Sequence, residues 1–402
     1  MNKLKLGFYF LCVLTIAACN QSEKEKDLSL VLHNPSTGGA IKQLVSVEVP
    51  ANLIQDNLPL YSTQYPSEWQ QNSDGSGTLT LLAELNPGQQ AQIPLSTSRI
   101  EFNDMAYAEL SVRTGGEWRG KEYVADGFEF KNVKQFTAPE QLTDHSYYLR
   151  YEGPGWENNL VGYRLYLDWR NGIDVFAKKT TDMVLSEVGQ DGYDSYHEQA
   201  DWGADVLKVG KSLGLGSLGR LSQGNVMHFQ QVSQTSWNLL SDTKLISEFN
   251  VTYKGWDVNS TKVDVSTTYR IHGDDPTTMV NVLLSDQVND LVTGIVKHPN
   301  TEFITLKNDE WAVIATYGNQ NMLGDSYHLG MALFYRIDDA AKSLESEHDY
   351  LIQFKPTNEL NYGFLAAWPE HDSNPQNQQQ FEMLLAEKIK ALTTPIEVII
   401  KP

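Results

Sequence analysis

The stretch Val263-Asp264-Val265-Ser266-Thr267-Thr268-Tyr269-Arg270-Ile271 decides the fold class. Most of its residues are β-branched or aromatic, the types that fit a pleated, half-buried sheet surface, and no glycine or proline interrupts them. Runs of the same kind lie to either side, at 249–253, 280–284, 291–296, 311–317 and 330–335. More occur toward the start, at 28–32, 44–49 and 78–85, and another at 396–400. Gly, Asn, Asp and Pro punctuate them, as turns between strands require. Only one segment argues strongly for a helix. Asn374 can cap it, Pro375 suits its first turn, and Phe381, Leu384, Leu385, Ile389 and Leu392 follow helical spacing up to Pro395. A long β-rich chain with one late helix predicts an all-β protein, a large antiparallel β-sandwich. We place a smaller N-terminal β unit at 28–110 and the main unit at 111–402. The stretch 72–77 reads as a loop, and no internal repeat is present.

The start of the chain reads as a targeting segment. Lys3 and Lys5 precede an apolar run over 6–17 that is too short to span a bilayer. It closes on Leu14-Thr15-Ile16-Ala17-Ala18-Cys19. That end resembles a bacterial lipoprotein lipobox. The resemblance implies a signal peptide over 1–18, acylation of Cys19, a tether over 19–27, and an exported protein anchored to a bacterial membrane through its lipid.

Composition narrows the chemistry. The chain has two cysteines, Cys12 in the removed segment and Cys19 at the anchor, so the mature body has no disulfide, thiol nucleophile or thiolate metal site. Lysine and arginine number 31 against 51 carboxylates, a formal charge of −20. Such a body repels phosphate backbones, which argues against nucleic acid as a partner. It also repels a polyanionic sugar unless arginines gather where the sugar binds. Three of the nine arginines, Arg150, Arg164 and Arg170, fall within one short segment.

Taken as a strand, Tyr163 to Arg170 puts Tyr163, Leu165, Leu167 and Trp169 on one face and Arg164, Tyr166, Asp168 and Arg170 on the other. The second face suits a carboxylated, hydroxyl-rich ligand, because Arg offers a planar fork and Tyr stacks or hydrogen-bonds. It equally suits a solvated sheet face on which Asp168 neutralises its neighbours. Further on, Tyr196-His197-Glu198-Gln199-Ala200-Asp201-Trp202-Gly203-Ala204-Asp205 packs a histidine, carboxylates and aromatics together. His197 suits acid–base work, Tyr196 can give or take a proton, and Trp202 can stack on a sugar ring. No cofactor is called for. A divalent metal on His197 with Asp201 or Asp205 stays open, with too few ligands to define a site. Gly214 to Gly219 matches the dinucleotide fingerprint by letter, but no helical period follows, so nucleotide binding is rejected and the glycines are expected to shape a tight loop beside the site. His298 and His328 sit at the edges of strand-like runs and read as structural when taken singly. No His-Glu-x-x-His occurs.

Between 151 and 219 the chain resembles a bacterial lipoprotein domain family of long-unassigned function. The elements that carry the likeness are Trp156-Glu157-Asn158, Tyr163-Arg164, Gly172-Ile173-Asp174-Val175 with Lys178, Tyr196-His197, Gly203-Ala204-Asp205, Lys208-Val209-Gly210 and the glycines from Gly214 to Gly219. Asn159 stands where many members carry Asp, and the Trp-Tyr pair many have before Tyr-His is missing. The resemblance implies a galactose-mutarotase-like β-sandwich, associated with degradation of uronate-rich polysaccharides.

Residues and resemblance together give the expected function: β-elimination on uronate-containing oligosaccharides, as a lyase or dehydratase. Arg164 and Arg170 would hold the carboxylate, His197 would be the base and Tyr196 the acid. Trp156 or Trp202 would be the sugar platform, with Glu157, Asn158, Tyr166, Asp201, Asp205, Lys208 and His298 around the substrate. Three alternatives stay open. They are glycoside hydrolysis by a carboxylate pair from Glu157, Asp201 and Asp205, a non-catalytic sugar-binding lipoprotein, and a mutarotase-like epimerase that needs two histidines and a carboxylate in one cleft.

Overall fold

A computed structural model describes residues 28–192 and 195–402. Cys19 and the expected signal peptide and tether lie outside the described residues. The runs listed from 28–32 to 396–400 each coincide with a strand, the first and last of them starting one residue ahead of Ser29–His33 and Glu397–Lys401. The run around Tyr269 belongs to Thr261–His272, whose residues alternate between buried and half-buried, as expected of a strand with one face on a core.

That strand is central to a nine-stranded antiparallel sheet. The order is Gln135–Thr137, Gln234–Asp242, Ile246–Val258, Thr261–His272, Asp275–Val288, Thr357–Ala367, Leu329–Arg336, Trp311–Gly318 and Thr301–Lys307. Two further sheets face it. One has six strands, ordered Phe130–Val133, Ala106–Arg113, Gly155–Asn158, Val161–Leu165, Ile173–Lys178 and Gly203–Asp205. The other has five, ordered Asn225–Met227, Leu215–Ser222, Leu291–Val296, Asp349–Phe354 and Ala340–Glu345. One contiguous core fills the space between them, with Val251, Tyr269, Val282 and Phe364 from the large sheet meeting Trp156, Tyr163, Val175, Leu215 and Ile352. The result is an all-β sandwich.

The late helix, Gln378–Thr393, lies on the far face of the large sheet, where Phe381, Leu385 and Ile389 pack on Val313, Ala315, Phe334 and Leu365. Its cap differs from the expected one. Asn377, not Asn374, accepts the Gln380 main-chain N–H at 3.0 Å, while Asn374 is buried and donates to the Trp368 carbonyl at 3.2 Å.

Strands near the start form a second small sandwich. One sheet is ordered Glu397–Lys401, Ser29–His33, Gln90–Ser96 and Tyr61–Ser62; the other is Ile41–Val49, Gly77–Leu85 and Ser67–Gln71. They enclose their own core of Leu30, Leu32, Val45, Leu79, Leu81 and Ile93. The boundary drawn at 110 falls inside Ala106–Arg113, and Glu397–Lys401 returns to pair with Ser29–His33.

Candidate functional site

The six-stranded sheet positions the candidate site. Alternation sends Ala108, Trp156, Tyr163, Val175 and Ala204 into the core, and so sends Glu109, Glu157, Arg164, Asp174, Lys178 and Asp205 to the opposite face. That face is not open to water. The irregular segment between Lys178 and Gly203 covers it, with Leu185, Val188 and Tyr196 packing on Tyr151 and Phe176. The outcome is a row of charged residues that are all buried.

Arg164 is the hub of the row and is only 2% exposed. Its guanidinium donates to Asp174 Oδ2 at 2.9 and 3.2 Å, to Asp205 Oδ2 at 2.7 Å, to the Tyr166 hydroxyl at 2.8 Å and to the Tyr196 hydroxyl at 3.1 Å. Arg164 and Asp174 sit directly opposite each other on paired strands. Burial would lower the Arg164 pKa, but Asp205, Tyr166 and Asp174 outweigh it and hold the guanidinium charged. Burial pushes the Asp205 carboxyl well up; Arg164 opposes this and Asp174 reinforces it. Burial likewise raises Tyr196, which keeps its phenol protonated. His197 stands at the edge of this network with its Nε2 3.3 Å from Asp205 Oδ2 and 31% of its side chain exposed. Its ring lies 4.5 Å from that of Tyr196.

Two more buried pairs flank the hub. Glu157 meets Lys178 Nζ at 2.6 Å and accepts the main-chain N–H groups of Val184 and Leu185, both at 2.7 Å, so it also fastens the covering segment. Burial raises Glu157 and lowers Lys178, against their mutual attraction. Glu109 accepts from both Arg150 and the Tyr151 hydroxyl.

A family profile described as a domain of unknown function, DUF4861, matches residues 52–398. The chain belongs to the DUF4861 family. A search of curated proteins finds no match. Among solved structures, the chain is similar to a glycosyl hydrolase family 38 protein from Enterococcus faecalis, with 9% identity and a TM-score of 0.43, covering 94% of this chain and 48% of that one. It is also similar to an alpha-mannosidase from Enterococcus faecalis V583, with 9% identity and a TM-score of 0.44, covering 94% and 46%. The chain thus spans about half the length of each. At this distance the likeness says nothing about chemistry.

In this DUF4861 chain the expected site residues separate into groups. Tyr196, His197, Arg164, Tyr166 and Asp205 come together as described. Arg164 is a correction in role, because protein groups already occupy the guanidinium meant for a substrate carboxylate. The strand expected over 163–170 stops at Leu165. Beyond it the chain turns, and Arg170 is clamped by Asp168 at 2.6 Å, Glu152 at 2.9 Å and Asp144 at 2.9 Å. Trp156 is no sugar platform; it is a core residue whose indole donates to Thr278 at 2.9 Å. Asn158 is buried and anchors the Leu160 and Val161 main chain. Trp202 is half-buried, edge-on to Phe176 at 6.1 Å, and Asp201 is exposed beside it. The Lys208 side chain is exposed, and half-buried His298 hydrogen-bonds the Lys208 main chain.

Other readings are also corrected. Gly214, Gly216 and Gly219 do not form a loop beside the site. The last two lie in Leu215–Ser222, and a Cβ at Gly214 would meet the Ile173 carbonyl oxygen at 1.9 Å. Gly210-Lys211-Ser212-Leu213-Gly214 also matches the Gly-x-Ser-x-Gly nucleophile pattern by letter. Ser212 is buried and donates to the Val209 carbonyl at 2.6 Å, so its hydroxyl braces a turn. Among the described residues the one group with metal-ligand geometry is Asp144, His145 and Glu152, and the Arg170 guanidinium already bonds both of its carboxylates.

Sequence reasoning missed Asp174 as a site residue. The signal was present, since Gly-Ile-Asp-Val follows the Tyr-Arg strand at hairpin spacing and sets the carboxylate across from Arg164. It also missed backbone strain: His145, Tyr147, Tyr151 and Glu152 all have φ between +38° and +65°. Such a cluster of left-handed non-glycine residues is a common mark of functional sites.

Proposed function

We propose that the protein is a carbohydrate-active enzyme that acts on uronate-containing oligosaccharides by β-elimination, with His197 as base and Tyr196 as acid. The juxtaposition of His197, Tyr196 and Asp205 around Arg164 carries the reading. Asp205 orients the His197 ring, and the partly open edge of that ring is where a sugar can approach. His197 takes the proton beside the sugar carboxylate, the C–H electrons form the new double bond, and the bond to the neighbouring oxygen breaks. Tyr196, kept protonated by burial, supplies the proton that this oxygen needs. Arg164 acts as a positioning residue that holds Asp205 and the Tyr196 hydroxyl. Lipid anchoring through Cys19 belongs to the same proposal and places the enzyme outside the cytoplasm.

Glycoside hydrolysis has less support, because Glu157 and Asp205 are buried and neutralised by Lys178 and Arg164. A sugar-binding protein without turnover is the second reading, favoured by the burial of Tyr196 and Arg164. The test is absorbance at the conjugated-alkene band with purified mature protein and a panel of uronate oligosaccharides. Elimination predicts a rising signal that His197→Ala reduces by about 10²–10⁴-fold at unchanged melting temperature. A flat signal with sugars unchanged on chromatography supports the binding reading, and a His197→Ala rate equal to wild type removes His197 from the mechanism.

A further inference from the structure

A separate concave surface lies where the turn after Leu165 meets the five-stranded sheet. It is a cavity of about 410 Å³ whose lining includes Trp169, Lys211, His228, Gln230 and His348. That volume lies in the range of about 300–1,000 Å³ typical of small-molecule sites. Its lip is the hairpin between Leu215–Ser222 and Asn225–Met227, turned by Gln223 and Gly224, both with positive φ. Trp169 is 42% exposed, while the other eight tryptophans are buried or half-buried. Leaving an indole in water forgoes the burial that the other eight obtain, which is the usual mark of a contact surface.

The Trp169 main chain is anchored, and its indole has one ring neighbour among the described residues. Its main-chain carbonyl accepts from Phe229 N at 3.1 Å, and His228 stands edge-on to it at 6.1 Å. His228 in turn is fixed by the main-chain carbonyls of Arg170 at 2.6 Å and Lys211 at 3.3 Å, so it braces the floor. On the rim, Lys211 makes no salt bridge with a described residue, and the half-buried His348 lies 3.8 Å from Glu347. The lining also carries the Glu347 and Asp349 carboxylates, of which Asp349 is buried and accepts from Leu213 N at 2.8 Å. A flat aromatic face beside amide, ammonium and imidazole groups is the chemistry that receives a sugar ring bearing an acidic substituent.

We propose that this cleft is a saccharide-binding subsite, with Trp169 as the stacking platform and with Lys211 and His348 receiving a carboxylate on the sugar. The choice of an acidic sugar rests on the proposed function; the stacking role of Trp169 does not. The subsite is linked to the hub through Arg170, whose guanidinium lies 4.0 Å over the Tyr166 ring, while the Tyr166 hydroxyl bonds Arg164. Remote binding of this kind holds a long substrate while chemistry proceeds elsewhere.

The experiment is calorimetric titration of the mature protein with uronate tri- to hexasaccharides and with their carboxyl-reduced counterparts. Trp169→Ala should weaken binding of both about tenfold or more, as removal of one central aromatic contact does. Lys211→Ala with His348→Ala should remove the preference for the acidic sugar. Equal affinity in wild type and Trp169→Ala overturns the proposal, as does failure of the wild type to bind any of these sugars. The two readings separate cleanly. Binding that depends on Trp169 without any alkene formation removes elimination and keeps the subsite. Alkene formation with unchanged KM in Trp169→Ala does the reverse.

Discussion

Replacing Arg164 by Met removes the cation from between Asp174 and Asp205 while keeping most of the side chain's volume. The guanidinium gives two hydrogen bonds to Asp174, one to Asp205 and one each to Tyr166 and Tyr196, all from a buried position. Breaking a buried pair by removing one partner costs about 3–5 kcal/mol, chiefly because the remaining charge is stranded. Here two carboxylates are stranded face to face, which points to the upper part of that range. For a chain of this size the expected loss in melting temperature is about 5–6 °C. The pH dependence has a definite sign. The Asp205 carboxyl is already held above its ordinary value by burial, and losing Arg164 raises it further. The folded variant then keeps protons that the unfolded chain releases near pH 4. Each pH unit over which it does so costs about 1.4 kcal/mol. Wild type also holds this proton above the ordinary range, but to a lower pH than the variant does, so the deficit against wild type should be larger near pH 8 than near pH 5. Urea unfolding followed by near-UV circular dichroism at the two pH values measures this. A deficit under about 1 kcal/mol at pH 8, or one equal at both pH values, refutes the buried-hub reasoning.

Two further outcomes are expected. Asp275 is held at a pKa of about 2 against its burial by Lys388 and His272, so its stabilisation is present above the unfolded range near pH 4 and is lost as pH falls toward 2. Lys388→Met should cost about 2 kcal/mol at neutral pH and flatten the stability slope between pH 4 and 2, as acid titration by fluorescence would show. Cys19→Ala should move the protein from the membrane fraction to the soluble exported fraction and abolish labelling by a fatty-acid probe; unchanged labelling refutes acylation at Cys19.

Strands were easy to read because a half-buried strand writes its burial into alternate residues, as Val263, Val265, Thr267 and Tyr269 do. The helix was legible for the same reason at a different period, and only its cap misled. Asn374-Pro375 has the composition of a helix start, but the Asn377 side chain is the one that reaches Gln380. The site was read less well, and the cause is physical. A polar residue at alternate positions looks the same whether its face meets water or a second layer of protein. Sequence alone points Arg164 and Glu157 toward a ligand, whereas the segment before Gly203 covers them. Tyr196, His197 and Asp205 group together in sequence because they lie within ten residues of one another; Asp205 reaches Arg164 because Gly203–Asp205 pairs with Ile173–Lys178, which pairs with Val161–Leu165. The cleft at Trp169 was not, since the strand expected through it stops at Leu165 and the chain turns outward.

Pairing of Glu397–Lys401 with Ser29–His33 sets an order of assembly. Ribosomes deliver the first of these strands hundreds of residues before the second, so the small sandwich cannot close its sheet until the rest of the chain has emerged. Lys390, which donates to the Gly38 carbonyl, and Gln43, which donates to the Ala391 carbonyl at 3.3 Å, add to the same dependence. The helix is thus a clasp between the two bodies as well as a cover for the large sheet. A chain cut short before Glu397 would leave Ser29–His33 with an unpaired edge, open to capture by another strand.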